Sequence, residues 1–222
     1  MQLLILSLLM VLSSAQWDVL VMWNRTFDGG YGYDDRGYSI IKSDDGYVIV
    51  GNAKMGNYVW VIKIDNNGDH VWNRTFDGGY NGDYSIVRSD DGGYVIVGSS
   101  YQYNNHFDVW VIKIDNNGNH VWNRTFHGGY GRDYGHFIIK SDDGGYVIVG
   151  ESYQGSNNND VWVIKIDTNG NHVWNRTFHG GYASDVGRSI IKSDDGGYVI
   201  VGESYQGSNN NDVWVIKIDT NG

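Results

Sequence analysis

Trp-Asn-Arg-Thr-Phe occurs four times, starting at Trp23, Trp72, Trp122 and Trp174, which makes the chain a tandem array with steps of 49, 50 and 52 residues. A unit of that size cannot enclose a core alone, so neighbouring units cover each other's apolar faces. Residues 138–170 recur unchanged as 190–222, 33 positions in a row. The units run approximately over 23–71, 72–121, 122–173 and 174–222, with 16–22 ahead of the first.

Each unit holds four short runs rich in Val, Ile, Trp, Tyr and Phe, bounded by Gly, Asn, Asp and Ser. That is the composition of strands separated by turns. In unit three the runs are His120–Phe126, His136–Lys140, Tyr146–Gly150 and Asp160–Asp167. Helical periodicity is absent. With 32 glycines and no proline, the turns rest on Gly, Asn and Asp, and Ser141–Gly145 and Asp167–Asn171 read as tight hairpins. The runs Tyr-Val-Ile-Val-Gly and Val-Trp-Val-Ile-Lys-Ile are apolar on both faces, as in sheets covered on each side. Four strands per fifty residues, repeated, predict an all-β propeller-type fold of four blades with four antiparallel strands each. The last unit stops at Gly222, without the His-Val-Trp-Asn-Arg-Thr-Phe strand that follows elsewhere, and Gln16–Phe27 carries a spare one. This segment is expected to complete the last blade, within its own chain or in a neighbouring copy, which makes self-association through residues 16–27 an expected partnership.

Leu3–Leu12 is a ten-residue apolar run followed by Ser13-Ser14-Ala15. It is too short to span a bilayer and has the form of a secretory signal cleaved before Gln16. The expected plan is therefore a signal peptide over 1–15 and one repeat domain over 16–222, exported to the cell surface or beyond. No other stretch reaches the eighteen apolar residues of a membrane helix. Absence of cysteine excludes disulfide scaffolds and thiol catalysis. A formal charge of −10 repels phosphate backbones, so nucleic acid is not an expected partner.

Three stretches carry a resemblance: Ser-Asp-Asp-Gly-Gly-Tyr-Val-Ile-Val-Gly, Asp-Val-Trp-Val-Ile-Lys-Ile-Asp, and Thr-Phe-x-Gly-Gly-Tyr. Over residues 23–222 they resemble the secreted β-propeller repeats of bacterial and archaeal surface proteins. The resemblance implies blades and no particular ligand or cofactor. Asp115–Trp122 is similar to the tryptophan-docking turn of quinoprotein propellers, one residue shorter. The Ser-x-Asp-x-Gly spacing at Ser89, Ser141 and Ser193 is similar to the Asp-box turns of sialidase-like propellers. In those families both turns are structural.

Asn-Arg-Thr places N-glycosylation acceptors at Asn24, Asn73, Asn123 and Asn175. Strand alternation sets Trp122, Arg124 and Phe126 on one face and Asn123 and Thr125 on the other, where a glycan has room. The Asp-rich turns at Asp65, Asp115 and after Ser141 lack the six to eight oxygens of a calcium site and read as hairpins. His70, His120 and His172 recur at one position and His127 and His179 at another; with no recurring carboxylate beside them, they read as surface residues rather than metal ligands. Nearly every polar group repeats, whereas catalysis needs a unique constellation. The aromatic loop of Tyr101, Tyr103 and Phe107 beside Asn104, Asn105 and Asp108 suits sugar stacking. The sequence thus points to a non-enzymatic, N-glycosylated structural repeat protein of the cell surface or matrix, able to assemble into a filament or sheath, with a monomeric carbohydrate-binding or adhesion module as the alternative.

Overall fold

A computed structural model describes residues 21–30, 32, 34–53, 58–79, 82–102, 106–155, 158–181, 183–207 and 210–222. The expected signal peptide and the loop residues Tyr103, Asn104 and Asn105 lie outside this set. Fifteen strands form four antiparallel sheets, here called blades, and no helix occurs among the described residues. Blade 1 holds β1 (Arg36–Lys42), β2 (Gly46–Ala53), β3 (Tyr58–Asp65) and β4 (His70–Asp77); blade 2 holds β5 (Ser85–Arg88), β6 (Tyr94–Gln102), β7 (His106–Ile114) and β8 (His120–Phe126). Blade 3 holds β9 (Asp133–Lys140), β10 (Tyr146–Tyr153), β11 (Asn159–Ile166) and β12 (His172–Phe178). Blade 4 has three strands, β13 (Asp185–Lys192), β14 (Tyr198–Tyr205) and β15 (Asn211–Ile218).

The hairpins explain the blade order. In Asp115–Asn119, Asp115 Oδ1 accepts the backbone N–H groups of Asn117 and Asn119 at 2.8 Å each, and Gly118 takes φ +79°. A left-handed residue there closes a turn that an L side chain would strain. The Ser141–Gly145 turn is tied to a group that hydropathy disguises: Lys165, buried in β11, donates to Ser141 Oγ and Asp143 Oδ1 at 2.6 Å each. Lys63, Lys113 and Lys217 reach Asp45, Asp91 and Asp195 in the same way. An ammonium therefore stands where a calcium reading would have put a cation.

Blades stack by valines on isoleucines. Val95, Val97, Val109 and Val111 of blade 2 pack against Ile138, Tyr146, Ile148 and Trp162 of blade 3, and Val147, Val149, Val161 and Val163 of blade 3 repeat this against Ile190, Tyr198 and Ile200 of blade 4. Burying each such side chain contributes about 1.5–3 kcal/mol. The stacking ends at blade 4. Val213 and Val215 are 80% and 60% exposed, whereas their counterparts Val161 and Val163 are 1% and 0% exposed.

The spare strand departs from expectation. Residues 21–27 form no strand and do not complete the sheet of blade 4 within the chain. Instead Trp23 lies over Gly68, where a Cβ would come 2.6 Å from its ring, and Arg25 bonds Asp69 Oδ1 at 3.0 Å and Asn67 O at 3.4 Å. Trp72, Trp122 and Trp174 dock on Gly118, Gly170 and Gly222 in the same manner. The aromatic dock and the ion pair hold the segment on blade 1, while β15 remains the edge of its sheet.

Candidate functional site

The first strand of every blade contributes to one cleft of about 230 Å³, lined by Tyr38, Ser39, Asp83, Tyr84, Ser85, His136, Phe137 and Arg188. These strands lie next to one another in succession, β1 by β5, β5 by β9 and β9 by β13. His136 stands between two carboxylates: Nε2 is 3.4 Å from Glu151 Oε1 and Nδ1 is 4.0 Å from Asp83 Oδ2. Glu151 is held from its other side by Asn159 Nδ2 at 2.8 Å. Opposite, Arg188 Nε donates to Glu203 Oε1 at 3.0 Å and Asn211 Nδ2 to Oε2 at 3.1 Å. Arg188, followed by Asn211, holds the Glu203 carboxyl below the usual range. The cleft lining thus combines one acid, an imidazole, a guanidinium and two tyrosines, with Glu151 and Glu203 held behind the imidazole and the guanidinium.

This constellation corrects the expectation that polar groups merely repeat. Units three and four differ at five positions between 122–170 and 174–222, and all five fall within 131–137 against 183–189. They are Gly131/Ala183, Arg132/Ser184, Tyr134/Val186, His136/Arg188 and Phe137/Ser189. His136, Phe137 and Arg188 line the cleft just described. Gly131, Arg132, Tyr134 and Ser184 line a second cleft of about 500 Å³, together with His106, Tyr130, Tyr153 and Asn159. Counting repeats hides this signal; subtracting one copy from the other reveals it.

The histidines that read as surface residues do have carboxylate partners. Asp108 of β7, His127 after β8 and Asp133 at the start of β9 meet where blades 2 and 3 join, and Asp160, His179 and Asp185 meet where blades 3 and 4 join. His127 Nδ1 is 3.0 Å from Asp108 Oδ1 and 3.3 Å from Asp133 Oδ2, and Nε2 is 3.0 Å from Gly129 O. His179 Nδ1 is 2.9 Å from Asp160 Oδ1 and 3.6 Å from Asp185 Oδ2. Burial lowers the His127 imidazole, but Asp108, Asp133 and Gly129 O outweigh it and raise it above its ordinary value. Burial raises the Asp133 carboxyl, against the opposing pull of Ser152, the Gly128 amide and His127. The shorter contact in each cluster is to the aspartate of the preceding unit, about twenty residues upstream, and the aspartate six residues downstream in the same unit reaches the imidazole only because the chain turns back into the next blade.

Three of the four sequons lie on the outermost strands, and the fourth in the segment ahead of blade 1. Asn73, Asn123 and Asn175 are exposed, each with Nδ2 against the histidine three residues earlier at 2.8–3.0 Å, and Asn24 is exposed beside Arg25. In β8 the residues alternate as expected, Trp122, Arg124 and Phe126 inward and Asn123 and Thr125 outward. Of the aromatic loop, Tyr101 and Phe107 pack on each other at 5.3 Å, and Phe107 stacks on Tyr134 at 5.7 Å.

No protein-family model matches the chain, and no curated protein matches it. Among solved structures it is similar to a thermostable family-43 glycoside hydrolase, with TM-score 0.55 and 11% identity over 88% of this chain and 72% of that one. It is also similar to a GH43_12 protein retrieved from a capybara gut metagenome (TM-score 0.50, 12% identity, 82% of this chain and 39% of that one). A third similar structure is a bifunctional GH43-CE protein of Bacteroides eggerthii (TM-score 0.50, 12% identity, 81% and 24%). At these identities the likeness establishes the propeller fold. These three similar structures are of glycoside hydrolases, which runs against the expectation of a non-enzymatic structural or adhesion protein, and the chain carries a varied polar cleft where that expectation placed only repeated groups. No helix among the described residues is long and apolar enough to cross a membrane.

Proposed function

We propose that the chain is a carbohydrate-active hydrolase whose site is the cleft between the first strands. The observation that carries this reading is the convergence of divergence: in two otherwise identical units, every altered residue belongs to the segment that lines the clefts. Packing positions stayed fixed while the equivalent cleft position became tyrosine in blades 1 and 2, histidine in blade 3 and arginine in blade 4. Glycoside hydrolysis uses two carboxyl groups, one to protonate the leaving oxygen and one to act as base or nucleophile. Asp83 and Glu151 supply such a pair, flanking His136 on opposite ring nitrogens. Tyr38, backed edge-on by the buried Tyr84 at 5.7 Å, offers a stacking face for a sugar ring, and Arg188 a donor for its hydroxyls. Likeness to glycoside hydrolases in fold supports the substrate class.

Release of reducing ends from a panel of polysaccharides and aryl glycosides tests the proposal. Glu151→Gln and Asp83→Asn are each expected to lower kcat at least a hundredfold while leaving the fold intact by circular dichroism. Undiminished turnover in both variants, or no release from any substrate tested, refutes it. We further propose that residues 1–15 direct export and that Asn24, Asn73, Asn123 and Asn175 carry N-glycans in a host that attaches them. The exposure of all four, three of them on outer strands, supports this. An intact mass unchanged by glycosidase treatment refutes it.

A further inference from the structure

We infer that the two blade junctions are zinc sites, one formed by Asp108, His127 and Asp133 and the other by Asp160, His179 and Asp185. In each cluster one imidazole nitrogen and two carboxylate oxygens lie within 4.8 Å of one another. Four-coordinate zinc with bonds of about 2.0–2.2 Å sets its ligand atoms roughly 3.3–3.5 Å apart. The nitrogen–oxygen separations are 3.0 and 3.3 Å at the first junction and 2.9 and 3.6 Å at the second. The nitrogen–oxygen separations are therefore already close to those of a zinc shell, with the two carboxylate oxygens within 4.8 Å of each other.

Two independent features point to a metal. The Nε2 of His127 faces Gly129 O at 3.0 Å, the backbone contact that fixes the tautomer of a metal-bound imidazole and leaves Nδ1 as the ligating atom. Asp133 and Asp185 are wholly buried, and Oδ1 of each has no hydrogen-bond partner, a feature shared by Oδ1 of Asp35 in the corresponding turn ahead of blade 1, where Asp28 stands in place of the histidine. A buried carboxylate with an unused oxygen is destabilising unless a cation compensates it. The backbone N–H groups of Gly128 and Gly180 hold Oδ2, the same oxygen that faces the imidazole, at 2.6 and 2.7 Å, which fixes the orientation of each carboxylate. One nitrogen and two oxygens suit zinc better than calcium, which prefers an all-oxygen shell of six to eight ligands.

The remaining junction provides an internal comparison. Between blades 1 and 2, Tyr58 and Asp77 stand where Asp108 and His127 stand at the next junction, and the buried Tyr84 fills the space beside Gly79. No imidazole is offered there, so the expected stoichiometry is two ions per chain. This inference is independent of the hydrolase reading, since neither cluster includes Asp83, His136 or Glu151.

Equilibrium dialysis of the full chain against zinc chloride, with metal analysis of the protein, tests it. Two zinc ions per chain are expected, one in His127→Ala, one in His179→Ala and none in the double variant. Zinc is also expected to raise the thermal midpoint of the wild type but not of the double variant, and cobalt to give the visible absorption of a tetrahedral site. Asp108→Asn with Asp160→Asn preserves the shape of both junctions and covers the case in which the alanine variants unfold. Zero zinc in the wild type, two in the folded double variant, or retention of calcium in preference to zinc overturns the assignment.

Discussion

Lys165→Met isolates the charge hidden in β11. Methionine keeps the unbranched stem and its burial, so the substitution removes the ammonium and little else. What is lost are the bonds to Ser141 Oγ and Asp143 Oδ1, both 2.6 Å. Hydrogen bonds to charged groups contribute about 1.5–3 kcal/mol. The Asp143 side chain is 64% exposed, however, and regains water when the ammonium is gone. Discounting for that screening leaves an expected loss of about 1–2 kcal/mol at pH 6. The loss has a pH signature. Burial alone would raise the Asp143 carboxyl, but Lys165, Ser141 and the Gly145 amide outweigh it and bring it down to about 2 from an ordinary 3.8. A carboxyl lowered in the folded state contributes stability above its unfolded value, and that contribution disappears as pH falls toward the folded value. Between values of 3.8 and 2, about half of it is gone by pH 3. Urea unfolding of both proteins, followed by tryptophan fluorescence, should therefore show a gap of about 1–2 kcal/mol at pH 6 that halves by pH 3. A gap equal at the two pH values, or one below about 0.5 kcal/mol at pH 6, refutes the reasoning.

Gly170→Ala places a side chain at φ +79° and 2.8 Å from the Trp122 ring. A loss of about 2–3 kcal/mol in urea unfolding is expected from the left-handed backbone and the displaced indole together. Ile190→Ala opens a cavity between blades 3 and 4, where Ile190 is fully buried among Val147, Val149 and Val161, and should lower stability by about 2–5 kcal/mol in the same assay. The bare valine face of blade 4 should bind a second copy through its blade 1, whose Gly37 and Lys42 correspond to the Gly187 and Lys192 that engage blade 3's Val149, Val161 and Asp142. Val213→Lys with Val215→Lys should then abolish a concentration-dependent rise in mass seen by light scattering; a wild-type mass fixed at one chain counts against it.

Strands, turns and blade stacking were legible because they depend on features each unit states locally. A period-two pattern fixes Trp122, Arg124 and Phe126 on one face wherever the strand lies, and Gly at Gly118 or Gly170 marks a left-handed turn without reference to anything distant. The burial of Lys165 was not legible, since an apolar run interrupted by one lysine reads equally well as an edge facing water. Only the partner turn 24 residues upstream decides that it points inward.

The cleft was illegible for a stronger reason. Repetition is evidence about packing, because each copy must present the same valines and isoleucines to its neighbours, and a function that uses one ligand needs the opposite property. Around an axis, equivalent positions of successive blades face a single space, so identical residues there would place like groups against one another. Four histidines or four arginines would repel; a tyrosine, a tyrosine, a histidine and an arginine at Tyr38, Tyr84, His136 and Arg188 do not. Symmetry of the frame therefore requires asymmetry at its centre if the centre is to hold a ligand of lower symmetry. In a chain whose third and fourth units agree everywhere else, the five departures from identity are the most informative residues it has.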